Sequence, residues 1–466
     1  MPPLNFVSFA NIKPMFPPLP RLNRRTLLRQ SSAGFGYLAL ASLLGQTSRG
    51  AAVNPLAPKA PHFLAKAKRV IFCFMEGAMS GHDLFDYKPE LITHGGKSGP
   101  GGGTLTPSKF AFKQYGQTGS WFSELMPNIA RHADKFCWLR GLHTDTPAHP
   151  QAVVQLHTGS ANAAMTRPSM GSWLLYGLGT DNQDLPGFIT INPSPNFGGT
   201  VNYGSAFLPA HFQGSRMTDM GFVPNLKAST ATPLQRRQLD LIQSMNRDYA
   251  TRADAPDSVD GIIESYELAF RMQGKVPELL DISKEPEKVR EAYGVKDGPG
   301  ASFARQCLMA RRLSEAGVRF VEICHSGWDH HNNLHKGLIE RSAAVDQATG
   351  ALLQDLEERN LLDDTLVIFG SEFGRLPTSQ GPDGRDHNIT GYSMALAGAG
   401  VKKGYTHGAT DEFGIKAVEG RMHTNDLHAT LLALMGLDHD RLTYRYGGRD
   451  FRLTDVAGNV AREIFS

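Results

Sequence analysis

Carboxylates and imidazoles recur at matched places along this chain. After the apolar run Arg69–Met75 comes Glu76-Gly77-Ala78-Met79-Ser80-Gly81-His82-Asp83. After Val318–Cys324 comes His325-Ser326-Gly327-Trp328-Asp329-His330-His331. Leu366–Phe369 is followed by Gly370-Ser371-Glu372-Phe373-Gly374-Arg375, and Gly384-Arg385-Asp386-His387-Asn388 lies shortly beyond. Asp83, Asp329, Glu372 and Asp386 would repel one another in a shared crevice, where poor solvation makes the repulsion costly. One or two divalent cations would offset it. Imidazole with carboxylate suits Zn, Mn or Fe, and oxygen-rich sites suit Mg, Ca or Mn, so the mixture leaves Zn, Mn, Mg or Ca open. Taken singly, each motif has an ordinary reading. Asp386-His387 alone is a loop hydrogen-bond pair, His325 to His335 a solvated loop, and Ser371 to Arg375 a helix cap with an ion pair. Their shared position after apolar runs is what argues for one site.

The elements that must position these groups are legible from hydrophobic pattern. Continuous apolar runs at Arg69–Met75, Phe136–Leu142, Gly187–Ile191, Val318–Cys324, Leu366–Phe369 and Met394–Ala397 suit strands buried on both faces. Helical periodicity lies between them at 121–132, 301–316, 334–359 and 425–435. That alternation predicts a three-layer α/β/α sandwich with a mostly parallel central sheet. In such a sheet the carboxyl ends of the strands open into one crevice, where ligands bind. Residues 94–119 are Gly-rich and polar and read as a surface loop. Residues 232–300 are polar and helical in character and read as an insertion.

Composition narrows the class. The chain has 466 residues, 41% hydrophobic and 20% charged, with a formal net charge of +3. That balance implies a sizeable core and no general polyanion role, so no nucleic-acid partner is expected. Cys73, Cys137, Cys307 and Cys324 form no CxxC pair, and buried free thiols are expected. No His-Glu-x-x-His helix, Gly-x-Ser-x-Gly elbow, Walker loop or dinucleotide fingerprint occurs. At the other end, Asn23-Arg24-Arg25-Thr26-Leu27-Leu28-Arg29 has the twin-arginine pattern. A mild apolar stretch, Gly34 to Leu44, follows it. This stretch is too short and too rich in small residues to span a bilayer. Residues 1–52 therefore read as a twin-arginine signal peptide, 53–66 as a Pro/Ala-rich linker and 67–466 as the α/β domain. The expected destination is the periplasm or the extracellular space, reached through the twin-arginine translocase, with no stable membrane span after cleavage.

The chain resembles the domain-of-unknown-function 1501 family, placed in the alkaline phosphatase-like superfamily with sulfatases and phosphomutases. The likeness covers about residues 67–465. It is carried by Ser80 through Asp86, His149 through Gly159, Trp328 through His331, Thr365 through Arg375 and Gly384 through His387. Asp426 through Leu437 also looks like the closing helix of sulfatases. The resemblance implies metal-dependent hydrolysis of a sulfate or phosphate ester, on a small molecule or a glycan. It implies Asp83 as the first-strand carboxylate, Asp329 with His331 as a ligand pair, Glu372 in the place of the second Asp, and His387 as the later metal-binding His. Asp386, beside His387, is a further candidate metal ligand.

The sequence also departs from that pattern. Sulfatases place Cys or Ser nine residues before the Thr of a Thr-Gly pair. Counting back from Thr158-Gly159, that offset falls on His149. Phe373 replaces the His that usually follows the second Asp. His149 is left as an attacking imidazole, as a ligand beside an attacking metal-bound hydroxide, or as the mark of lost activity. Arg375 and Arg385 are expected to clamp an anionic ester, since guanidinium matches phosphate and sulfate bidentately. The rival reading is a non-catalytic metal- or glycan-binding protein on a decayed hydrolase scaffold.

Overall fold

The computed structural model describes residues 54–466, apart from 101, 163, 195, 224–231, 254–255 and 297–299. The twin-arginine segment lies outside the described residues. The strands that matter here are β1 (Arg69–Met75), β2 (Phe136–His143), β3 (Phe188–Ile191), β4 (Ser215–Met217), β5 (Phe320–His325) and β6 (Thr365–Gly370). They are followed by β7 (Gly374–Ser379), β8 (Arg385–Asn388), β9 (Tyr392–Gly398), β10 (Tyr405–His407) and β11 (Met422–His423). The helices are α1 (Pro127–Ala130), α2 (His149–Thr158), α3 (Met170–Leu178), α4 (Thr232–Ala253) and α5 (Pro256–Leu280). After them come α6 (Glu287–Tyr293), α7 (Ala301–Glu315), α8 (Leu334–Glu358) and α9 (Thr424–Leu434).

Nine strands form the main sheet in the order β10-β2-β9-β6-β1-β5-β3-β4, with β11 pairing beside β2. β1 sits at the centre and runs parallel to β5 and to β6, Val70 lying opposite both Phe320 and Leu366. Only β9 is reversed: it pairs antiparallel with both β2 and β6. Successive side chains of β1 point to opposite faces, as strand geometry requires. Ile71, Cys73 and Met75 enter one core with Phe303 and Leu308 of α7 and Val345 and Leu352 of α8. Val70, Phe72 and Phe74 enter a second core with Val153 of α2, Trp173 of α3 and Leu431 of α9. Both faces of the sheet are thus covered by helices, which is the expected three-layer sandwich. The continuous apolar runs are strands because neither face meets water.

Two local expectations change. Residues 121–132 are not one helix: a strand at Ser120–Ser123 precedes the short α1. Pro127 stands in the first turn of α1, a place proline tolerates, whereas a helix running through it would lose a hydrogen bond and clash. The loop 94–119 contains a strand, Phe112–Tyr115, that pairs with Ser120–Ser123. Residues 55–66 hold no helix or strand, and the Lys59 and Lys66 N–H groups donate to Leu178 and Leu434 carbonyls. In 232–300, α4 and α5 pack on each other, joined by Arg236 to Glu267 at 2.8 Å. Met272 and Val276 of α5 enter the α7–α8 core. The four cysteines are free and buried. No helix among the described residues is long and apolar enough to cross a membrane.

Helix α1 is too short to stand alone. Asp346 of α8 holds it, accepting from the backbone N–H of Asn128 at 2.9 Å and of Ile129 at 2.8 Å, and from Asn128 Nδ2 at 2.6 Å. Replacing Asp346 by Ala orphans these donors and should cost about 2–4 kcal/mol, with Asp346→Asn costing less. Urea denaturation of the two variants checks both the size and the order.

Candidate metal centre

The site is assembled where β1, β5 and β6 end. After Met75 the chain turns sharply, with Gly77 at φ +108° and Ala78 at φ +69°. A Cβ on Gly77 would stand 2.7 Å from the Asp329 backbone nitrogen, so glycine alone lets the loop after β5 close on the loop after β1. Trp328 N–H donates to Glu76 O at 3.1 Å and fixes that approach. The loop after β6 carries Glu372. The β7–β8 hairpin then turns back and sets His387 opposite Arg375. His149 opens α2, where Pro150 supports the first turn.

One ligand atom each from His149, Asp329, His331 and His387 lies within 4.8 Å of all the others. Asp329 Oδ1 is 3.2 Å from His149 Nε2, 3.0 Å from His331 Nε2 and 3.5 Å from His387 Nε2. The other ring nitrogen of each histidine is engaged. His149 Nδ1 meets Glu372 Oε1 at 2.6 Å, His387 Nδ1 meets Pro147 O at 2.5 Å, and His331 Nδ1 meets Gln380 Oε1. These partners are acceptors, so the hydrogen-bond network assigns each ring proton to Nδ1. Every Nε2 lone pair is then aimed at the cluster. His331 Nε2 and His387 Nε2 face each other at 2.8 Å. With both outer protons on Nδ1, two such lone pairs repel unless a proton or a metal ion lies between them. An oriented imidazole whose outer N–H is held by an oxygen acceptor is the usual arrangement of a metal-ligating histidine.

The surrounding charges make the same demand. Burial would lower the pKa of His149, but hydrogen bonds with Asp329 and Glu372 outweigh it and raise the group to about 9. Burial would raise Asp329, yet His149, His387 and Arg375 hold it far below the carboxylate range. Behind the cluster, burial pushes Glu76 up to about 7 despite a hydrogen bond from Ser194, with Glu372 adding to the rise. The pocket therefore attracts positive charge, and either a proton on His149 or a metal ion answers it. Phe197 and Phe373 stack against His149, at ring separations of 5.2 and 4.7 Å, and restrict its rotation.

Two arginines complete the frame. Arg375 is buried, with Nε on Ala78 O, Nη1 on Arg385 O, and Nη2 on Gly77 O and on Asp329 Oδ1 at 2.6 Å. It ties together the loops after β1 and β5 and the β8 strand. Arg385 is equally buried. It donates to both oxygens of Asp83, and to the Leu376 and Thr106 carbonyls.

The sequence model described as "Protein of unknown function (DUF1501)" matches residues 67–465. The chain belongs to that family. No curated protein matches it. Among solved structures, this DUF1501 chain is similar to the alkaline phosphatase of the Antarctic bacterium TAB5, at 13% identity and TM-score 0.36, over 80% of this chain and 99% of that one. It is also similar to the PsFucS1 sulfatase from Pseudoalteromonas sp., at 15% identity and TM-score 0.34, over 80% and 68%. A third is the lipoteichoic acid synthase LtaP from Listeria monocytogenes, at 8% identity and TM-score 0.36, over 82% and 77%. The chemistry of the DUF1501 site is therefore read from its own residues.

Of the candidate ligands, Asp329, His331 and His387 meet, and His149 joins them as a fourth donor. Glu372 stands behind His149 instead, with Gly77 N–H at 3.0 Å on the same carboxylate. Asp83 is not in the cluster: its carboxylate is committed to Arg385 and to Ser80 Oγ. Asp386 lies at the rim, more than half exposed, with Oδ1 4.0 Å from His331 Nδ1 and 2.8 Å from the His387 N–H. Arg375 and Arg385 do not form the expected ester clamp, because their donors are occupied by carbonyls and carboxylates. Gln380 and the Pro147 carbonyl, which orient two of the histidines, carry no sequence pattern that marks them. They are brought in by the pairing of β7 with β8 and by the turn before α2.

Two outcomes follow from this geometry. Glu372→Gln keeps the shape but weakens the hold on His149, and should reduce metal affinity about 10–100-fold by competition with a chelating dye. For Asp83, burial would raise the carboxyl, but the Arg385 charge and hydrogen bonds bring it below its ordinary value. Because the folded pKa is the lower one, this pair stabilises fully above the unfolded value of about 4 and loses its contribution as the pH falls below that. Asp83→Asn should cost about 3–5 kcal/mol at pH 7, by leaving Arg385 buried without its counter-ion. The deficit relative to wild type should shrink below pH 4, as read by chemical denaturation across pH.

Proposed function

We propose that this protein is an exported, metal-dependent hydrolase of sulfate or phosphate esters. The observation that carries the reading is the convergence of three imidazole Nε2 atoms and one carboxylate at the carboxyl ends of the central strands. Three nitrogens and one oxygen suit Zn, Mn or Fe better than Mg or Ca. A divalent ion held by His149, Asp329, His331 and His387 would polarise an ester oxygen and lower the pKa of the attacking group.

The chain's own residues do the positioning. Glu372 keeps the His149 proton on Nδ1, so that Nε2 stays available. Arg375 fixes Asp329 and neutralises part of its charge. Phe197 and Phe373 stack against the His149 ring and hold its plane. The cluster is open at Asp329 and His331, which keep about a third of their side-chain surface, at 37% and 32%, while His387 keeps 16%. An ester reaches the cluster from there. The placement of His149 among the donors supports its role as a ligand over its role as the attacking nucleophile.

A second reading, a non-catalytic metal-binding protein, has its own support. Among the described residues no Ser, Thr or Cys hydrogen-bonds to the four donors, and both nearby arginines are occupied. Turnover of aryl sulfate and aryl phosphate by the purified chain, with and without chelator, separates the two. Hydrolysis lost on chelation and reduced at least 100-fold by His331→Ala is expected. Bound metal with no hydrolysis of either ester favours the binding reading. Export rests on the twin-arginine pattern, and Arg24→Lys with Arg25→Lys should leave the protein in the cytoplasmic fraction. Unchanged export of that double variant contradicts the address.

A further inference from the structure

Helix α4 carries apolar side chains on the face turned away from the protein. Leu239 and Gln243 are buried on its inner face, where α4 packs chiefly on α5. On the outer face Leu234, Leu241, Met245 and Tyr249 are 50, 64, 65 and 61% exposed, and Ile242 is 42% exposed. At 3.6 residues per turn the first four fall within an arc of about 80°, with Ile242 at its edge and Leu239 and Gln243 on the far side. Single exposed apolar residues are ordinary, but a continuous stripe is not. These five side chains offer on the order of 400–500 Å² to a partner, a patch of the size that is often functional.

The stripe is complementary to itself. Leu234 and Tyr249 are equally distant in sequence from the midpoint between Leu241 and Ile242, and so are Gln238 and Met245. A two-fold interface uses the same patch on both copies, so that residue i meets j and j meets i. With two α4 helices antiparallel about an axis at that midpoint, Leu241 of each copy lies against Ile242 of the other, and Leu234 against Tyr249. Gln238, the one polar residue in the arc between Leu234 and Tyr249, lies against Met245.

The flanking charges select the same arrangement. Arg237 and Asp248 are exposed on one flank of the stripe, toward its opposite ends. In the antiparallel pair Arg237 of one copy falls about 3 Å along the axis from Asp248 of the other, within the reach of an arginine, and the two-fold makes the contact twice. A parallel pair sets Arg237 against Arg237 and Asp248 against Asp248. A membrane surface fits less well, because an interfacial helix carries bases beside its apolar face and here Asp248 takes one of those places. Two such stripes with their flanking polar atoms bury about 1,000 Å² in total, at the lower edge of specific interfaces, so the association is weak and reversible.

We propose that the outer face of α4 is a homodimer interface, in which the α4 helices of two copies pair antiparallel about a two-fold axis near Leu241 and Ile242. The surface belongs to the helical insertion and holds none of the four metal donors, so it stands whether or not the metal centre hydrolyses anything. Sedimentation velocity of the purified chain across the micromolar range tests it, and a monomer–dimer equilibrium is expected. Leu241→Glu changes an exposed side chain and should fold normally by circular dichroism. It should weaken dimerisation about ten-fold or more and leave metal content unchanged. Arg237→Glu should weaken it about three-fold or more, by setting two acids together on each side of the axis. Combining Arg237→Glu with Asp248→Arg should recover wild-type association. A chain that stays monomeric throughout that range overturns the proposal. So does dimerisation unchanged by Leu241→Glu or by Arg237→Glu, or a charge exchange that recovers nothing. A monomer that floats with phosphatidylglycerol vesicles and ceases to do so as Leu241→Glu overturns it as well, and gives the face to a membrane.

Discussion

Two imidazole nitrogens of this protein face each other at 2.8 Å with a third beside them, a contact that requires a proton or a metal ion between the two lone pairs. The arrangement depends on where the three ring protons sit. Glu372, Gln380 and the Pro147 carbonyl each hold an Nδ1 proton, and so turn each Nε2 inward. Each of these acceptors is itself placed by the sheet: Glu372 by the end of β6, Gln380 by the β7–β8 hairpin, and Pro147 by the turn entering α2. The fold thus specifies the protonation of the cluster, and the protonation specifies its appetite for a cation.

Arg375 is the mechanical counterpart. One buried guanidinium reaches carbonyls of the loop after β1, the carboxylate of the loop after β5 and the backbone of β8. Burying that charge costs several kcal/mol unless it is fully hydrogen-bonded, which here it is. The same bonds make Asp329 rigid, since its Oδ1 is shared among Arg375 and the histidines. Arg385 repeats the device one layer out with Asp83. The acidic and basic residues that look most like reagents therefore divide into two groups. Some meet at the cluster, and the others hold the loops that present it.

Much of this was readable in the residues. The apolar runs around Arg69–Met75 and Leu366–Phe369 became central strands, because burial on both faces leaves no alternation to confuse the pattern. The positions of Asp329, His331 and His387 at strand or hairpin ends were enough to bring them together. What failed was the assignment of roles within one charge type. Sequence does not distinguish a guanidinium that clamps a ligand from one that ties backbone carbonyls, so Arg375 and Arg385 read as a clamp. Nor does it distinguish a carboxylate that faces the cluster from one that stands behind a histidine, as Glu372 does. The hairpin register that delivers Gln380 depends on long-range pairing, and residues 121–132 looked helical until Pro127 is weighed as a boundary.

For the cluster itself, the most direct measurement is anomalous scattering from a crystal of the protein grown with Zn²⁺ or Mn²⁺. A peak should lie about 2.0–2.2 Å from His149 Nε2, His331 Nε2, His387 Nε2 and an Asp329 carboxylate oxygen. A peak ligated instead by Asp83 or Glu372, with the three histidines turned away, or no peak at all, contradicts the account.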